Sequence, residues 1–122
     1  MYYAEILRNE GLNSFAVTDI SLVTPSLLNS HDIVVLGEMG LTTGQVTMLT
    51  NWVNVGGNLI AMRPDKQLAE LLGLTDAAAT LTNPYLLIDT ATVPARGTPG
   101  VTLQIHGDAD DYTLITGTSV LA

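Results

Sequence analysis

Four charged residues stand just after apolar runs that are typical of β-strands, and they could serve a reaction or a ligand. They are Asp19, Glu38, Arg63 and Asp65. Because open parallel sheets bind ligands outside the carboxyl ends of their strands, these residues would share one rim. Glu38 and Asp65 are the candidate catalytic pair, since two carboxylates can carry the acid and base steps of glycosidic bond hydrolysis. Asp19 or His106 would support them.

The same rim has two further interpretations. With charges of both signs, it would bind a neutral polyhydroxylated ligand, such as a carbohydrate, better than an anion. Alternatively its residues are structural: Glu38 caps the following loop, Asp65 opens a helix where a negative charge suits the dipole, and Arg63 pairs with one of them. The substitution Glu38→Gln separates these hypotheses, because it removes an activity only if Glu38 is catalytic.

Several chemistries are excluded by what the chain lacks. It has no cysteine, so a disulfide, a thiolate metal site and a thiol nucleophile are all excluded. No serine stands in a G-x-S-x-G context. The loop Gly37-Glu38-Met39-Gly40 lacks the G-K-[ST] and G-x-G-x-x-G patterns that cradle phosphates. We therefore predict no cofactor.

One cluster mixes the side chains that hold metal ions, and it is a weak candidate. His106, Asp108 and Asp110 lie within a few residues of one another. The acidic run at 108–111 is similar to the start of a calcium loop, but the later positions hold Thr113 instead of Gly and Ser119 instead of Glu. A solvated acidic turn is the favoured interpretation.

Composition is typical of one small domain spanning residues 1–122. Hydrophobic residues make up 47% of the chain, yet no apolar run approaches the length that spans a bilayer. Twelve acidic residues against four basic ones give a net charge of −8. Since phosphate backbones and anionic lipids would be repelled, neither nucleic acid nor a membrane is an expected partner.

A strand–helix–strand unit is the clearest structural pattern. Residues 33–37 and 58–62 are almost entirely apolar, which is typical of parallel strands covered on both faces. Between them, residues 43–55 form an amphipathic helix, opened by Thr42 or Thr43 and ended by a double glycine. Its apolar face consists of Val46, Leu49, Trp52 and Val53.

The same alternation continues on both sides of this unit. We predict a helix at 2–9 closed by Gly11, a strand at 14–17, a helix at 25–29 opened by Thr24, and a helix through 66–72. Alternating helices and strands indicate a doubly wound α/β fold. We expect a flavodoxin-like, mostly parallel sheet with helices on both faces.

This fold normally opens with a strand, and here the first strand is apparently missing. Either the sequence begins within a larger domain, or another copy of the chain completes the sheet, or the sheet is an unusual one that starts with a helix. An open sheet edge invites pairing, so we predict a homo-oligomer.

Residues 76–122 differ from the βα core at 1–75, because they are rich in Ala, Thr, Pro and Gly. A strand is predicted at 85–88. Residues 101–105 alternate in polarity like a half-buried strand, a turn follows at 107–110, and 112–115 would return as its partner. We expect this part to be a loop-rich, antiparallel β extension.

The segments YYAEILRNEGLNSFAV, HDIVVLGE and LTTGQVTMLTNWVNVGGNLIAMRPD give the chain a family resemblance. It resembles the class I glutamine amidotransferase-like superfamily, and within it the ThuA-like and β-galactosidase trimerisation-like branch. The signature runs from Asp32 to Ile60. The resemblance implies a module within a larger secreted or cell-surface bacterial protein, often beside carbohydrate-active domains.

The chain departs from that family where catalysis would take place. A working amidotransferase of the superfamily needs a Cys at a strand-to-helix elbow, and this chain has Arg63-Pro64-Asp65-Lys66 after its strand. Glutaminase activity is therefore excluded. We expect a non-catalytic interaction or ligand-binding module, with a small carbohydrate hydrolase using Glu38 and Asp65 as the alternative.

Overall fold

A computed structural model describes residues 2–118 of the chain. The chain divides into two compact units, Met1–Pro64 and Asp65–Ala122. The boundary between them precedes residue 75, where the sequence changes character. Each unit is described by itself.

The first unit contains the strand–helix–strand element and the helices that precede it. Its elements in chain order are α1 (Tyr2–Asn9), a 3-10 helix (Ile20–Leu22), α2 (Pro25–Leu28), β1 (Ile33–Leu36), α3 (Thr43–Asn54) and β2 (Asn58–Ala61).

The predicted parallel pairing of the two apolar strands is confirmed. In the β1–β2 ladder, Ile33 stands opposite Asn58 and Leu36 stands opposite Ala61. One further hydrogen bond, from the Met62 N–H to the Leu36 carbonyl at 2.9 Å, extends the ladder beyond β2. The intervening helix is confirmed too, with Leu49 buried on its apolar face.

Helix α3 begins and ends at the residues whose chemistry favours it. Thr42 and Gln45 form a capping box, in which each side chain accepts a hydrogen bond from the other's backbone N–H, at 3.3 and 2.8 Å. Gly56 follows the helix with a φ of +110°, a conformation that favours glycine. These short-range signals explain why the helix was predictable.

Trp52 rests against the backbone of Gly57 and anchors α3 to the turn that follows it. The indole is 6% exposed. A Cβ atom on residue 57 would lie 2.3 Å from the ring, which is closer than real Cβ contacts. Glycine is therefore required here because of the close approach of the ring.

The two smaller helices of this unit are also confirmed. Helix α1 is followed by Gly11, whose φ is +86°. Helix α2 begins after Thr24, whose hydroxyl accepts a hydrogen bond from the Leu27 N–H at 3.2 Å. Its proline stands in the first turn, where no N–H donor is needed.

The predicted doubly wound, flavodoxin-like fold is wrong. The parallel sheet consists of β1 and β2, and the remaining sheets of the described residues are antiparallel pairs. Residues 14–17 do not form the predicted strand. Val17 is 56% exposed, and the Phe15 ring lies under the Arg8 guanidinium at 5.2 Å rather than in a sheet. Helix α2, with four residues, is too short to be a crossover helix that covers a sheet face.

The strands of this sheet are not buried on both faces, as their apolar runs had indicated. Exposure alternates along them, so that Leu36 is buried while Ile33 and Val35 are exposed. Ile60 of β2 is exposed in the same alternation. One face of the sheet is therefore apolar and open to solvent.

The second unit consists of short helical turns and antiparallel strand pairs. Its elements are two 3-10 helices (Lys66–Leu68 and Val93–Ala95) and the strands β3 (Leu74–Thr82), β4 (Tyr85–Leu86), β5 (Leu103–Gln104) and β6 (Asp108–Leu114). Strand β3 pairs with β6, and β4 pairs with β5. Leu68, Ala69 and Ala95 are the buried apolar residues of this unit.

Two predictions for this unit are wrong. The segment 66–72 is one 3-10 turn followed by turns rather than a helix, and Gly73 with a φ of +73° leads directly into β3. Residues 107–110 are not the turn of a hairpin between 101–105 and 112–115, because β6 begins at Asp108 and pairs with β3 instead.

The composition of β3 explains this second error. Its alanines and threonines were assigned to a loop, but threonine favours strands and here it faces the acidic residues of β6. Thr82 stands opposite Asp108 and donates a hydrogen bond to its carboxylate at 3.1 Å. Thr80 stands opposite Asp110. The pairing joins residues more than twenty positions apart, so no local pattern revealed it.

None of the helices between residues 2 and 118 combines the length and apolar character needed to cross a bilayer.

Candidate functional site

At the predicted rim at the carboxyl ends of β1 and β2, Glu38 and Arg63 are in contact. Arg63 Nη1 lies 2.9 Å from Glu38 Oε1 and donates a hydrogen bond to it. The Arg63 and Glu38 side chains are 39% and 57% exposed. At this exposure the pair is well solvated, and it contributes about 1 kcal/mol or less to stability.

Arg63 also has an uncommon backbone conformation. Its φ is +44°, in the left-handed region that residues with a side chain seldom adopt, at a cost of about 1–2 kcal/mol. Glycine would be more stable at this position of the backbone. The turn therefore retains an arginine where its conformation favours a glycine, beside the exposed carboxylate of Glu38.

Asp19 is held by its own local turn. Its carboxylate accepts hydrogen bonds from the Ser21 N–H at 2.9 Å and the Ser21 hydroxyl at 2.6 Å, and it caps the 3-10 helix Ile20–Leu22. Hydrogen bonding to Ser21 lowers the pKa of Asp19 below its ordinary value, because the donors stabilise the charged form.

Asp65 belongs to the second unit, whereas Glu38 belongs to the first. The Asp65 carboxylate accepts a hydrogen bond from the Gln67 N–H at 2.9 Å and caps the 3-10 helix Lys66–Leu68. Of the two predicted catalytic carboxylates, Glu38 is therefore engaged by an arginine and Asp65 by the cap of a 3-10 helix.

The candidate metal cluster does not assemble. Within residues 2–118, no three His, Asp or Glu side chains are gathered so that they could hold a metal ion. His106 precedes β6, while Asp108 and Asp110 are part of that strand. Asp108 accepts the hydrogen bond from Thr82 across the strand pair.

A second ion pair, between Lys66 and Asp76, was not predicted. The Lys66 ammonium lies 3.0 Å from both carboxylate oxygens of Asp76. Asp76 also accepts a hydrogen bond from the Ala78 N–H at 2.9 Å, at the irregularity of β3 where Ala78 has a φ of +55°. No sequence signal could have revealed the pair, because β3 itself was not predicted.

This contact shifts the pKa values of both partners. The hydrogen bond to Asp76 raises the pKa of Lys66, with smaller Coulombic contributions from Asp76, Asp110 and Tyr112. The hydrogen bond from Lys66 lowers the pKa of Asp76, and the one from Ala78 lowers it further. Each charge stabilises the charged form of its partner.

A shallow depression lies at the opposite end of the β1–β2 sheet, where the strands begin. Its volume is about 290 Å³, at the lower end of the range for small-molecule sites. The polar side chains that line it are Asn29, His31, Asp32 and Asn58. The remainder of the lining comes from Trp52, Val55 and the glycine turn after α3.

Two of the polar residues that line this depression, His31 and Asn58, are held by hydrogen bonds to the backbone. His31 Nδ1 lies 2.9 Å from the Leu27 carbonyl and 3.0 Å from the Ser30 hydroxyl. Because a carbonyl oxygen only accepts, the tautomer that fits this contact carries its proton on Nδ1 and has Nε2 as an acceptor. The Asn58 side-chain amide donates to the Asp32 carbonyl at 2.9 Å. Its oxygen, which cannot donate, stays an acceptor.

Sequence reasoning missed the depression because it searched the carboxyl ends of the strands. His31 was interpreted as a surface loop residue and Trp52 as a core residue. The signal that could have found it is the convergence of two helix ends and two strand starts, at residues 29–32 and 55–58, which the strand–helix–strand pattern already implied.

The family resemblance of the chain rests on the residues between Asp32 and Ile60, and it stays a prediction. The absence of cysteine separates the chain from the glutaminases of that superfamily in any case. Comparison of the chain with family models, curated proteins and solved structures gave no match.

Proposed function

We propose that this chain is a non-catalytic interaction module that pairs with a second copy of itself along β1. One observation carries the proposal: β1 is an edge strand with unpaired outward backbone groups, and its apolar residues Ile33 and Val35 are exposed on the open face of the sheet. The acidic residues that could have supported a hydrolase are engaged in an ion pair and a helix cap.

The direction of the backbone groups identifies the open edge. Successive residues of a strand point their N–H and C=O groups to opposite sides. Since the Leu36 carbonyl accepts its hydrogen bond from Met62, Leu36 and Val34 face β2. The backbone N–H and C=O groups of Ile33 and Val35 therefore point away from β2. No strand within residues 2–118 pairs with that edge.

The apolar side chains of β1 favour pairing with β1 of a second copy of the chain. Ile33 is 57% exposed and Val35 is 42% exposed. Antiparallel pairing of β1 with β1 of a second copy would make a four-stranded sheet, in which these side chains become cross-strand neighbours. A two-stranded sheet is marginally stable by itself, so this pairing would also stabilise the unit.

The test is the mass in solution of the chain and of the variant Val35→Pro. Proline removes the N–H of Val35 from the open edge and leaves the β1–β2 hydrogen bonds in place. We expect analytical ultracentrifugation to give a dimer for the chain and a monomer for Val35→Pro.

Leu22→Lys is the control variant, because Leu22 is an apolar residue that is 68% exposed and belongs to a 3-10 helix rather than to β1. It should remain a dimer. A monomeric chain at tens of micromolar, or loss of the dimer in Leu22→Lys as well, would contradict the proposal.

The rim of Glu38 and Arg63 supports a second role, the binding of a neutral carbohydrate. Its exposed carboxylate and guanidinium offer acceptors and donors side by side, and Arg63 keeps a costly backbone conformation at this place. Titration of simple sugars against the amide spectrum tests this, and shifts confined to other residues would refute it.

A further inference from the structure

We propose that the depression at the amino ends of β1 and β2 binds the ammonium group of a small organic cation. This site is distinct from the edge of β1 and from the rim of Glu38 and Arg63. The proposal rests on its shape, its hydrogen-bonding groups and the sign of its charge.

The groups that line the depression are mostly acceptors. Asp32, Asn58 and His31 line it, and their carboxylate, amide oxygen and Nε2 can each accept a hydrogen bond. Asn29 adds a side-chain amide, which can donate through its nitrogen or accept through its oxygen. An ammonium group has three N–H donors and no acceptor, so it complements this set better than a carboxylate does.

The electrostatics favour a cation as well. Helix α3 has twelve residues and ends at this depression, so its partial negative charge adds to that of Asp32. The described residues that line the depression include no lysine or arginine. The chain as a whole carries a net charge of −8, which attracts cations from solution.

Size and the apolar part of the lining limit what fits. A volume of about 290 Å³ suits a molecule of few heavy atoms rather than an oligosaccharide. Val55 and the indole of Trp52 can contact a short alkyl chain, and an indole also attracts a nearby cation. A short alkylammonium ion has both the alkyl chain and the positive charge.

Trp52 provides the readout, because it is the single tryptophan of the chain. We would titrate the protein with n-propylammonium chloride at constant ionic strength and follow the Trp52 fluorescence. We expect saturable binding with a Kd of about 1 mM, since a ligand of so few atoms binds weakly. Sodium propionate and 1-propanol, which share its alkyl chain, should bind at least about fivefold more weakly.

Asp32→Asn should weaken the binding of n-propylammonium about fivefold or more, because it removes the carboxylate and keeps the size of the side chain. Asp111→Asn removes the same charge from β6 in the second unit, and it should leave the Kd unchanged. Equal binding of 1-propanol, no saturation, or an unchanged Kd in Asp32→Asn would overturn the proposal. Far-ultraviolet circular dichroism verifies that both variants are folded.

The ammonium group could belong to a free amine or to a lysine of a protein. Nα-acetyl-lysine methylamide distinguishes these sources in the same titration. Tighter binding than n-propylammonium would assign the site to a lysine side chain, and weaker binding would assign it to a free amine.

Discussion

Asp19 and Asp65 each accept a hydrogen bond from the backbone N–H two residues further on, at Ser21 and Gln67. Both stand at the start of a 3-10 helix, where an acceptor is needed. At the scale of residues, the structural interpretation of the rim predicted that Arg63 would pair with Glu38 or Asp65, and Arg63 contacts Glu38. The strand predicted before Asp19 is absent. The sequence could not predict the Lys66–Asp76 pair, which depends on a strand that only tertiary pairing defines.

Glu38→Gln should have little effect on stability, and we expect neither the chain nor this variant to hydrolyse a glycoside. The pair with Arg63 is exposed, so we expect a loss of about 1 kcal/mol or less in the free energy of unfolding, measured with urea. The variant is therefore a clean probe of function. If the chain hydrolyses a glycoside and folded Glu38→Gln does not, the chain is an enzyme and our account is wrong.

The Lys66–Asp76 pair should make stability depend on pH at both extremes. The pKa of Asp76 is lowered from 3.8, so its contribution is present above that pH and is lost as pH falls through the lowered value. The pKa of Lys66 is raised from 10.5, so its contribution is present below that pH and is lost as pH rises through the raised value.

The measurement is the urea midpoint of the chain and of Asp76→Asn from pH 2 to pH 11. The difference between the two should be largest between about pH 4 and pH 10 and should shrink on either side. A difference that is constant across this range would show that the pair contributes nothing through its charges.

At the scale of elements, local signals predicted the helices and the parallel strand pair. Thr24 and Thr42 cap their helices, and glycines follow α1 and α3. The elements that sequence reasoning missed are those without such signals: β3 is composed of alanine and threonine, and its pairing with β6 is set by residues distant in sequence. Non-local pairing is not encoded in a local pattern.

The contact between Trp52 and Gly57 should be sensitive to the addition of a single methyl group. Gly57→Ala places a Cβ against the indole ring, so we expect a loss of about 1–3 kcal/mol in the free energy of unfolding. Trp52→Ala should lose about 3–5 kcal/mol, because it empties the largest buried side chain of α3.

Gly44→Ala is the matched control for Gly57→Ala. It lies in the same helix–turn–strand unit, and a Cβ there meets nothing within 4 Å. Because alanine favours a helix over glycine, we expect Gly44→Ala to gain up to about 1 kcal/mol. Equal effects at positions 44 and 57, measured by urea denaturation, would contradict the close approach of the ring.

At the scale of the whole molecule, the chain carries one predicted βαβ unit without the larger sheet that such units usually join. Strands β1 and β2 are apolar enough for burial on both faces, yet Ile33, Val35 and Ile60 are exposed. The flavodoxin-like prediction was wrong because it extended the alternation to 14–17, which do not form a strand, and to 66–72, which do not form an α-helix. An apolar sheet face and, along β1, an unpaired backbone edge are left exposed.

Hydrogen–deuterium exchange of the β1 amides, followed as the protein concentration rises, tests the central claim most directly. Edge pairing with a second copy would protect the N–H of Val35, which faces away from β2. We predict that this amide exchanges more slowly at high than at low concentration, whereas the Val34 amide, already bonded to β2, changes little. If the Val35 amide exchanges at the same rate at every concentration, β1 is not the surface through which this protein associates.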